Sequence, residues 1–269
     1  MPDHNDSLSA ATWQPLLATR YMGRGDALVL AEATSTNTLL KEMALRGAVA
    51  GSLCLCETQT AGKGRLGRSW HSPAGQGLWL SVLLRPRLKP EQAPLVTLCA
   101  AMAMEQAVRE VTGLDTRIKW PNDLVLQGKK LCGILLEIGF GAEGIDYIIV
   151  GTGLNVRRGA YPAELAHQAT SIEDHRTPPP RRKLLVHYLA ALEDIITRLE
   201  NEGFPALAKA YRARSCTLGS QVHVSGSVDF TGVAEAIDET GALLVRDETG
   251  ELRRVLAGDV SVRGVMGYV

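Results

Sequence analysis

After Cys216 the texture of the chain changes. Before that point apolar runs that suit strands alternate with long helical runs. Beyond it come short alternating segments, QVHVSG, GVAEAID, ALLVRD, LRRVLAG and DVSVRG, separated by turns bearing Gly and Asp. Closely spaced strands with frequent turn signals read as a small all-β unit. The order of textures predicts an α+β chain, with a mixed-sheet domain over residues 27–215 and a small β-barrel over 216–269. Residues 1–26 read as a leader holding one short helix around residues 13–19. At 269 residues the chain has enough length for one large core and one small one.

Within the first unit, residues 27–31 and 52–56 read as strands, and residues 77–85 (GLWLSVLLR) as a third. The third is apolar nearly throughout, which predicts a central place with both faces covered. Residues 92–111 form a helix apolar around much of its circumference, and so buried against a sheet. Residues 117–138 suit a hairpin turning through Gly128, residues 139–144 a loop, and residues 145–150 a further strand leading into GTGLN at 151–155. A connector with three prolines at 178–180 precedes an amphipathic helix over residues 183–202.

Lys+Arg and Asp+Glu are both 29, and this balance argues against a protein that coats nucleic acid. No run of about 18 apolar residues is present to cross a membrane. The polar, acidic start does not read as a signal peptide. The five cysteines, Cys54, Cys56, Cys99, Cys132 and Cys216, show no C-x-x-C spacing and fall mostly in apolar runs. They read as reduced, buried residues of a cytoplasmic protein.

The chemistry gathers in a few stretches. Thr34-Ser35-Thr36-Asn37 precedes a helical run, which is an N-cap signal. Local sequence favours capping alone; the alternative is a polar ligand pocket at a helix N-terminus. Residues 58–70, TQTAGKGRLGRSW, put three glycines, three cations and a tryptophan directly after a strand. Such a loop can bring its backbone and cations close to an anion. Gly62-Lys63-Gly64-Arg65-Leu66-Gly67 formally fits G-x-G-x-x-G, but the next residues are RSWHSPAGQG, a loop with Pro73 in it, and position 87 is an arginine where a dinucleotide fold needs an acid. The Gly-Lys-Ser/Thr of a Walker loop is missing too. Lys119-Trp120-Pro121-Asn122-Asp123 sets charged and amide groups at a stiff turn in apolar surroundings. An Asn-Asp turn explains part of it, but not a lysine inside a strand, because burying an unpaired ammonium is costly. With Lys130 and the loop arginines, the set suits a triphosphate with Mg2+ and a second, carboxylate substrate.

Taken in order, Ser35-Thr36-Asn37, Gln59, GKGRLGRSW, KWPND, GKKLCGILLE at 128–137 and GTGLN resemble the biotin protein ligases, over almost the whole chain from about residue 28 onward. That resemblance implies a mixed-sheet catalytic domain like that of class II aminoacyl-tRNA synthetases and an SH3-like C-terminal barrel. It implies biotin and ATP as substrates with Mg2+, and transfer of biotin through biotinyl-5′-AMP to a biotin carboxyl carrier domain. Ser35, Thr36, Asn37, Gln59, Lys63, Gly64, Arg65, Lys130 and Gly133 would hold biotin. Arg65, Arg68, Trp70, Lys119, Asn122, Asn155 and Arg263 would hold ATP. Lys130, Arg65 and Asp123 would act in catalysis, Asp123 as Mg2+ ligand or proton acceptor. Lys63 departs from the arginine of many relatives and lacks its bidentate fork. The glycine loop would close over the adenylate as a lid. A leader this short leaves no room for the family's DNA-binding repressor domain, so DNA is not an expected partner, and a homodimer through an edge strand is open. The rivals are a lipoate or octanoate ligase or transferase of the same fold, in which Cys132 beside Lys130 would carry an acyl group, and a non-catalytic sensing module.

Overall fold

The computed structural model describes residues 6–258 and 260–264. The strands of the first unit are β1 (Ala27–Ala33), β2 (Leu53–Gln59), β3 (Gly77–Leu84), β4 (Arg117–Lys119), β5 (Asp123–Leu126), β6 (Lys129–Gly141) and β7 (Gly144–Asn155). They form one sheet in the order β1-β2-β3-β7-β6-β5-β4, with β1 and β2 parallel and the other pairs antiparallel. The helices are α1 (Ala10–Trp13), α2 (Thr36–Leu45), α3 (Ala93–Thr112), α4 (Arg181–Glu202) and α5 (Pro205–Arg214).

The apolar run of β3 has the outcome its composition demands. All of its residues are buried, because both faces of the sheet are covered. Leu78, Leu80, Val82 and Leu84 join the main core with α3 and α4. Trp79 and Leu83 alternate to the other face, where Leu83 meets Leu40 and Ala44 of α2. Ser81 falls between them on the α2 side, a polar residue in an otherwise apolar row.

The C-terminal unit is an antiparallel sheet of β8 (Gln221–Gly226), β9 (Phe230–Ile237), β10 (Leu243–Asp247), β11 (Leu252–Val255) and β12 (Val260–Gly264), ordered β11-β10-β9-β8-β12. Val222, Val224, Leu243 and Val262 belong to the same apolar cluster as α3 and α4. The two units therefore share one continuous core. Trp120 fastens them: its indole N–H donates to Gly241 O at 3.1 Å and its backbone N–H to Thr217 Oγ1 at 2.9 Å.

Two stretches differ from the sequence expectation. Residues 139–144 are no loop, since β6 runs to Gly141 and β7 starts at Gly144. Gly139 read as a turn signal, but it sits in a strand because the Tyr147 ring across the ladder fills its side-chain space; a Cβ there would lie 2.3 Å from that ring. The stretch ahead of β1 is packed into the core, with Leu8, Trp13, Leu17 and Met22 all buried. Its anchors are distant in sequence. Asp6 pairs with Arg181 at 3.0 Å, and Glu193 of α4 accepts the backbone N–H groups of Arg20, Tyr21 and Met22 at 2.8, 2.9 and 3.0 Å. Among the described residues before β1 there is one short α-helix with 3-10 residues on either side of it, and no helix-turn-helix.

Those three donors give Glu193 a measurable stake in stability. Glu193→Ala strands them and is expected to lower the unfolding free energy by about 2–3 kcal/mol, read from urea midpoints. Burial pushes this carboxyl up, yet the three N–H groups and Arg20 outweigh it and hold its pKa below the ordinary 4.5. A folded-state pKa below the unfolded one means that the contribution is fully present above the ordinary value. It is lost as pH falls through the lower folded value. The parent and Glu193→Ala should thus converge in stability under acid.

Candidate active site

A cavity of about 250 Å³ opens between the α2 end of the sheet, the glycine loop and β12. One end is a neutral, hydrogen-bonding recess. Ser35 precedes α2 but its side chain makes no cap hydrogen bond; it is buried and lines the cavity. Between capping and a ligand pocket, the geometry favours the pocket. Gln59, the last residue of β2, accepts the Thr36 backbone N–H at 2.9 Å and donates to Ser72 Oγ at 2.8 Å. Asn37 donates to Glu137 Oε1 at 3.2 Å and Leu135 O at 3.4 Å.

The floor beneath is made of glycines on paired strands, Gly133 of β6 opposite Gly153 of β7, with Gly151 beside them. A Cβ at Gly151 would lie 2.2 Å from Asn37 Oδ1, and one at Gly153 2.4 Å from Trp70 Nε1. A Cβ at Gly133 would meet Trp70 at 2.8 Å and the Lys130 side chain at 3.1 Å. Glycine is required here because functional side chains lie flat on the sheet.

The loop after Gln59 folds back on itself, Gly64 N donating to Arg68 O at 2.7 Å and Trp70 N to Gly62 O at 2.8 Å. Leu66 at its tip is exposed and left-handed, at φ 56°, a conformation that costs a non-glycine residue energy and gathers at functional segments. Lys63 reaches Glu137 at 3.7 Å. Arg65 donates to Asn122 Oδ1 at 3.0 Å and, from its other terminal nitrogen, to the carbonyl oxygens of Ala257, Gly258 and Val260 in the C-terminal unit. Burial pulls its pKa down, opposed by the charge of Asp123. Arg68 lines the cavity from an exposed position.

Cations crowd the far end. Lys130 Nζ lies 2.7 Å from Asp123 Oδ1 and 5.2 Å from the centre of the Trp70 ring. Lys119, at the end of β4, is buried, and burial pulls its ammonium down to about 8; Lys130 and Arg263 push the same way and Asp123 opposes. Asn122 donates to Ile134 O and Asn155 to Thr170 O, each at 3.0 Å, so both amides are fixed in orientation. The Trp70 indole N–H has no hydrogen-bond partner among the described residues. Arg263 and Val260 of β12 complete the wall. Asp123 is the one carboxylate among the lining residues, and no cluster of three His, Cys, Asp or Glu side chains suited to a metal occurs among the described residues.

All sixteen residues singled out from sequence line this one cavity. Sequence reasoning missed Ser81, Glu137 and Ser72, which support it from behind; Gly151 and Gly153, within the GTGLN motif, line it from below without having been given a role. Cys132, adjacent in sequence to the site, is fully buried and outside the lining, and burial drives its thiol far above the ordinary range.

Residues 29–155 match the Biotin/lipoate A/B protein ligase family and residues 217–263 the Biotin protein ligase C terminal domain. The chain is 38% identical over 217 residues to the biotin–[acetyl-CoA-carboxylase] ligase of Mycobacterium tuberculosis, covering 78% of this chain and 79% of that one. It is 34% identical over 192 residues to the bifunctional ligase/repressor BirA of Bacillus subtilis, covering 70% of this chain and only 59% of that relative's length. The solved biotin protein ligase from Aquifex aeolicus in complex with biotin and ATP superposes with a TM-score of 0.76 at 30% identity, covering 89% of this chain and 99% of that one. The chain belongs to the biotin protein ligase family.

Proposed function

We propose that this chain is an ATP-dependent biotin protein ligase, which forms biotinyl-5′-AMP and passes biotin to a lysine of a biotin carboxyl carrier domain. The observation that carries the reading is the two-ended cavity: a neutral recess at Ser35–Asn37 and Gln59, and cations around a single carboxylate at the other end. Biotin has the matching shape, a polar ring and a carboxylate joined by an apolar chain.

In the first step the recess holds the ring and Lys130 takes the carboxylate, setting it against the α-phosphate of ATP. Holding two reactants in line is a large share of such catalysis. Arg65, Arg68 and Lys119 meet the phosphates where charge develops. Trp70 flanks the adenine, and Asn122, Asn155 and Arg263 border the nucleotide. In the second step Lys130 stays on the acyl oxygen while the carrier amine attacks and AMP leaves. A lysine amine with a pKa near 10.4 is neutral in fewer than about one molecule in a thousand at pH 7. Asp123, released from Lys130 once that ammonium turns to substrate, would take the proton. No enzyme nucleophile is needed.

A lone carboxylate leaves most of the coordination to phosphate and water, and Mg2+ keeps mostly such ligands. Asp123 would hold it, and the ion would offset charge on the departing pyrophosphate. A cytoplasmic setting is supported by the five cysteines, which are free thiols and mostly buried. For self-association the supporting feature is β1, an edge strand of the sheet.

The test is exchange of labelled pyrophosphate into ATP, which should require biotin and fail with lipoate or octanoate. Exchange with octanoate and none with biotin would overturn the reading. The buried thiol of Cys132 already speaks against an acyl-enzyme. Lys119 supplies a second measurement. With its pKa near 8 in the ligand-free protein, phosphates beside it should restore the charge. ATP binding at pH 8 is then expected to take up about half a proton, seen as a dependence of calorimetric enthalpy on buffer ionisation.

A further inference from the structure

Ser81 sits in the middle of β3 on the face toward α2, fully buried and outside the cavity lining. Its hydroxyl is 2.6 Å from Asn37 Oδ1 and 2.7 Å from Thr36 Oγ1. Both are residues of the recess, so Ser81 stands one layer behind the groups that would touch a ligand.

Counting hydrogens fixes the direction of this network. The Asn37 amide nitrogen faces only acceptors, Glu137 Oε1 and Leu135 O, so the oxygen is the atom turned toward Ser81. An amide oxygen cannot donate; the single Ser81 hydrogen is therefore committed to it. Thr36 also has one hydrogen, and two acceptors stand ready for it inside the network, Ser81 Oγ at 2.7 Å and Gln59 Oε1 at 3.2 Å. Whichever takes it, Thr36 Oγ1 faces the cavity with lone pairs only. Gln59 Oε1 is itself engaged by the Thr36 backbone N–H.

We propose that Ser81 is a positioning residue that sets the hydrogen-bond polarity of the recess, making Thr36 an acceptor and selecting acids whose head group carries an N–H donor. This rests on the biotin reading above, since the cyclic urea of biotin carries such donors. A dithiolane or a plain alkyl end carries none. A buried acceptor left without its donor rejects the analogue far more strongly than a mismatched apolar surface does. The glycine floor adds to this, for at Gly151 even a methyl group would displace Asn37.

The test uses the full chain and compares exchange of pyrophosphate supported by biotin or by octanoate. In Ser81→Ala, Asn37 loses its donor and the Thr36 hydrogen keeps only the longer contact to Gln59 Oε1, at 3.2 Å, so it is held less firmly away from the cavity. The KM for biotin is expected to rise roughly 10- to 100-fold, with kcat and the KM for ATP within about twofold of the parent. Octanoate should be no worse a substrate than before, so the preference for biotin falls by the same factor. Ser81→Thr, which restores a hydroxyl, should recover biotin affinity. If Ser81→Ala does not fold, Ser81→Cys, of similar shape but a weak donor, should shift the biotin KM in the same direction. An unchanged biotin KM, or equal rises for biotin and ATP, would overturn the proposal while leaving the ligase reading intact. A parent that exchanges with octanoate and not with biotin would overturn both.

Discussion

Lys130→Ala is expected to lower biotin-dependent pyrophosphate exchange by about 100- to 1,000-fold, the usual consequence of removing one fixed charge from where a transition state needs it. Lys130 is the cation that bridges the two ends of the cavity, paired with Asp123 and stacked near Trp70. Its removal has two effects that must be separated. It takes away the proposed partner of the substrate carboxylate, and it removes the ammonium 2.7 Å from the sheltered carboxylate of Asp123, a loss that destabilises in its own right. The double variant Lys130→Ala, Asp123→Asn removes the carboxylate charge together with the ammonium. Its unfolding midpoint should return toward the parent while exchange stays depressed. A loss of less than about tenfold in Lys130→Ala would remove that lysine from the chemistry.

Arg65→Ala is expected to speed release of the adenylate by about 10- to 100-fold, on the scale of a few lost charge-assisted hydrogen bonds. Arg65 ties the glycine loop to Asn122 on one side and to the carbonyls of residues 257, 258 and 260 on the other. Alanine frees the loop from both at once. The measurement is the rate at which preformed biotinyl-AMP leaves the protein in a chase with unlabelled adenylate. Arg65→Lys should recover part of the effect, since it keeps the charge but cannot bond in two directions. A variant that holds the adenylate as long as the parent would show that the loop is not anchored through this residue.

Much of this site can be read in the chain because its residues fall in short clusters, Ser35 to Asn37, Lys63 to Trp70 and Lys119 to Asp123, each with an odd concentration of polar groups in apolar surroundings. What cannot be read is pairing across strands. Ser81 meets Thr36 and Asn37 only because β3 runs beside β2 and β7 in one register, and Glu137 meets Lys63 and Asn37 only because β6 lies where it does. One signal was present, a serine in a strand whose every neighbour is apolar. The stretch before β1 looked like a leader for a similar reason. Asp6 and Arg181 are 175 positions apart, and Trp13 is held by packing with no periodic pattern around it. The glycines of β6 and β7 misled in the opposite direction: at 139 glycine marks a ring packed across the ladder, where a turn was the simpler reading.

The Trp120 hydrogen bond to Gly241 has a bearing on how the gene for such a chain can be cut. The turn that presents Lys119, Asn122 and Asp123 hangs from the C-terminal sheet, and the same sheet supplies Arg263 and the carbonyls under Arg65. A chain severed near residue 216 would give fragments of which neither owns a whole phosphate end. Co-expressed halves should regain activity only by rebuilding the shared core around Trp120, so complementation in trans would report on that junction. The small sheet is thereby built into the wall of the cavity and into the turn that borders it, where an appended domain would touch neither.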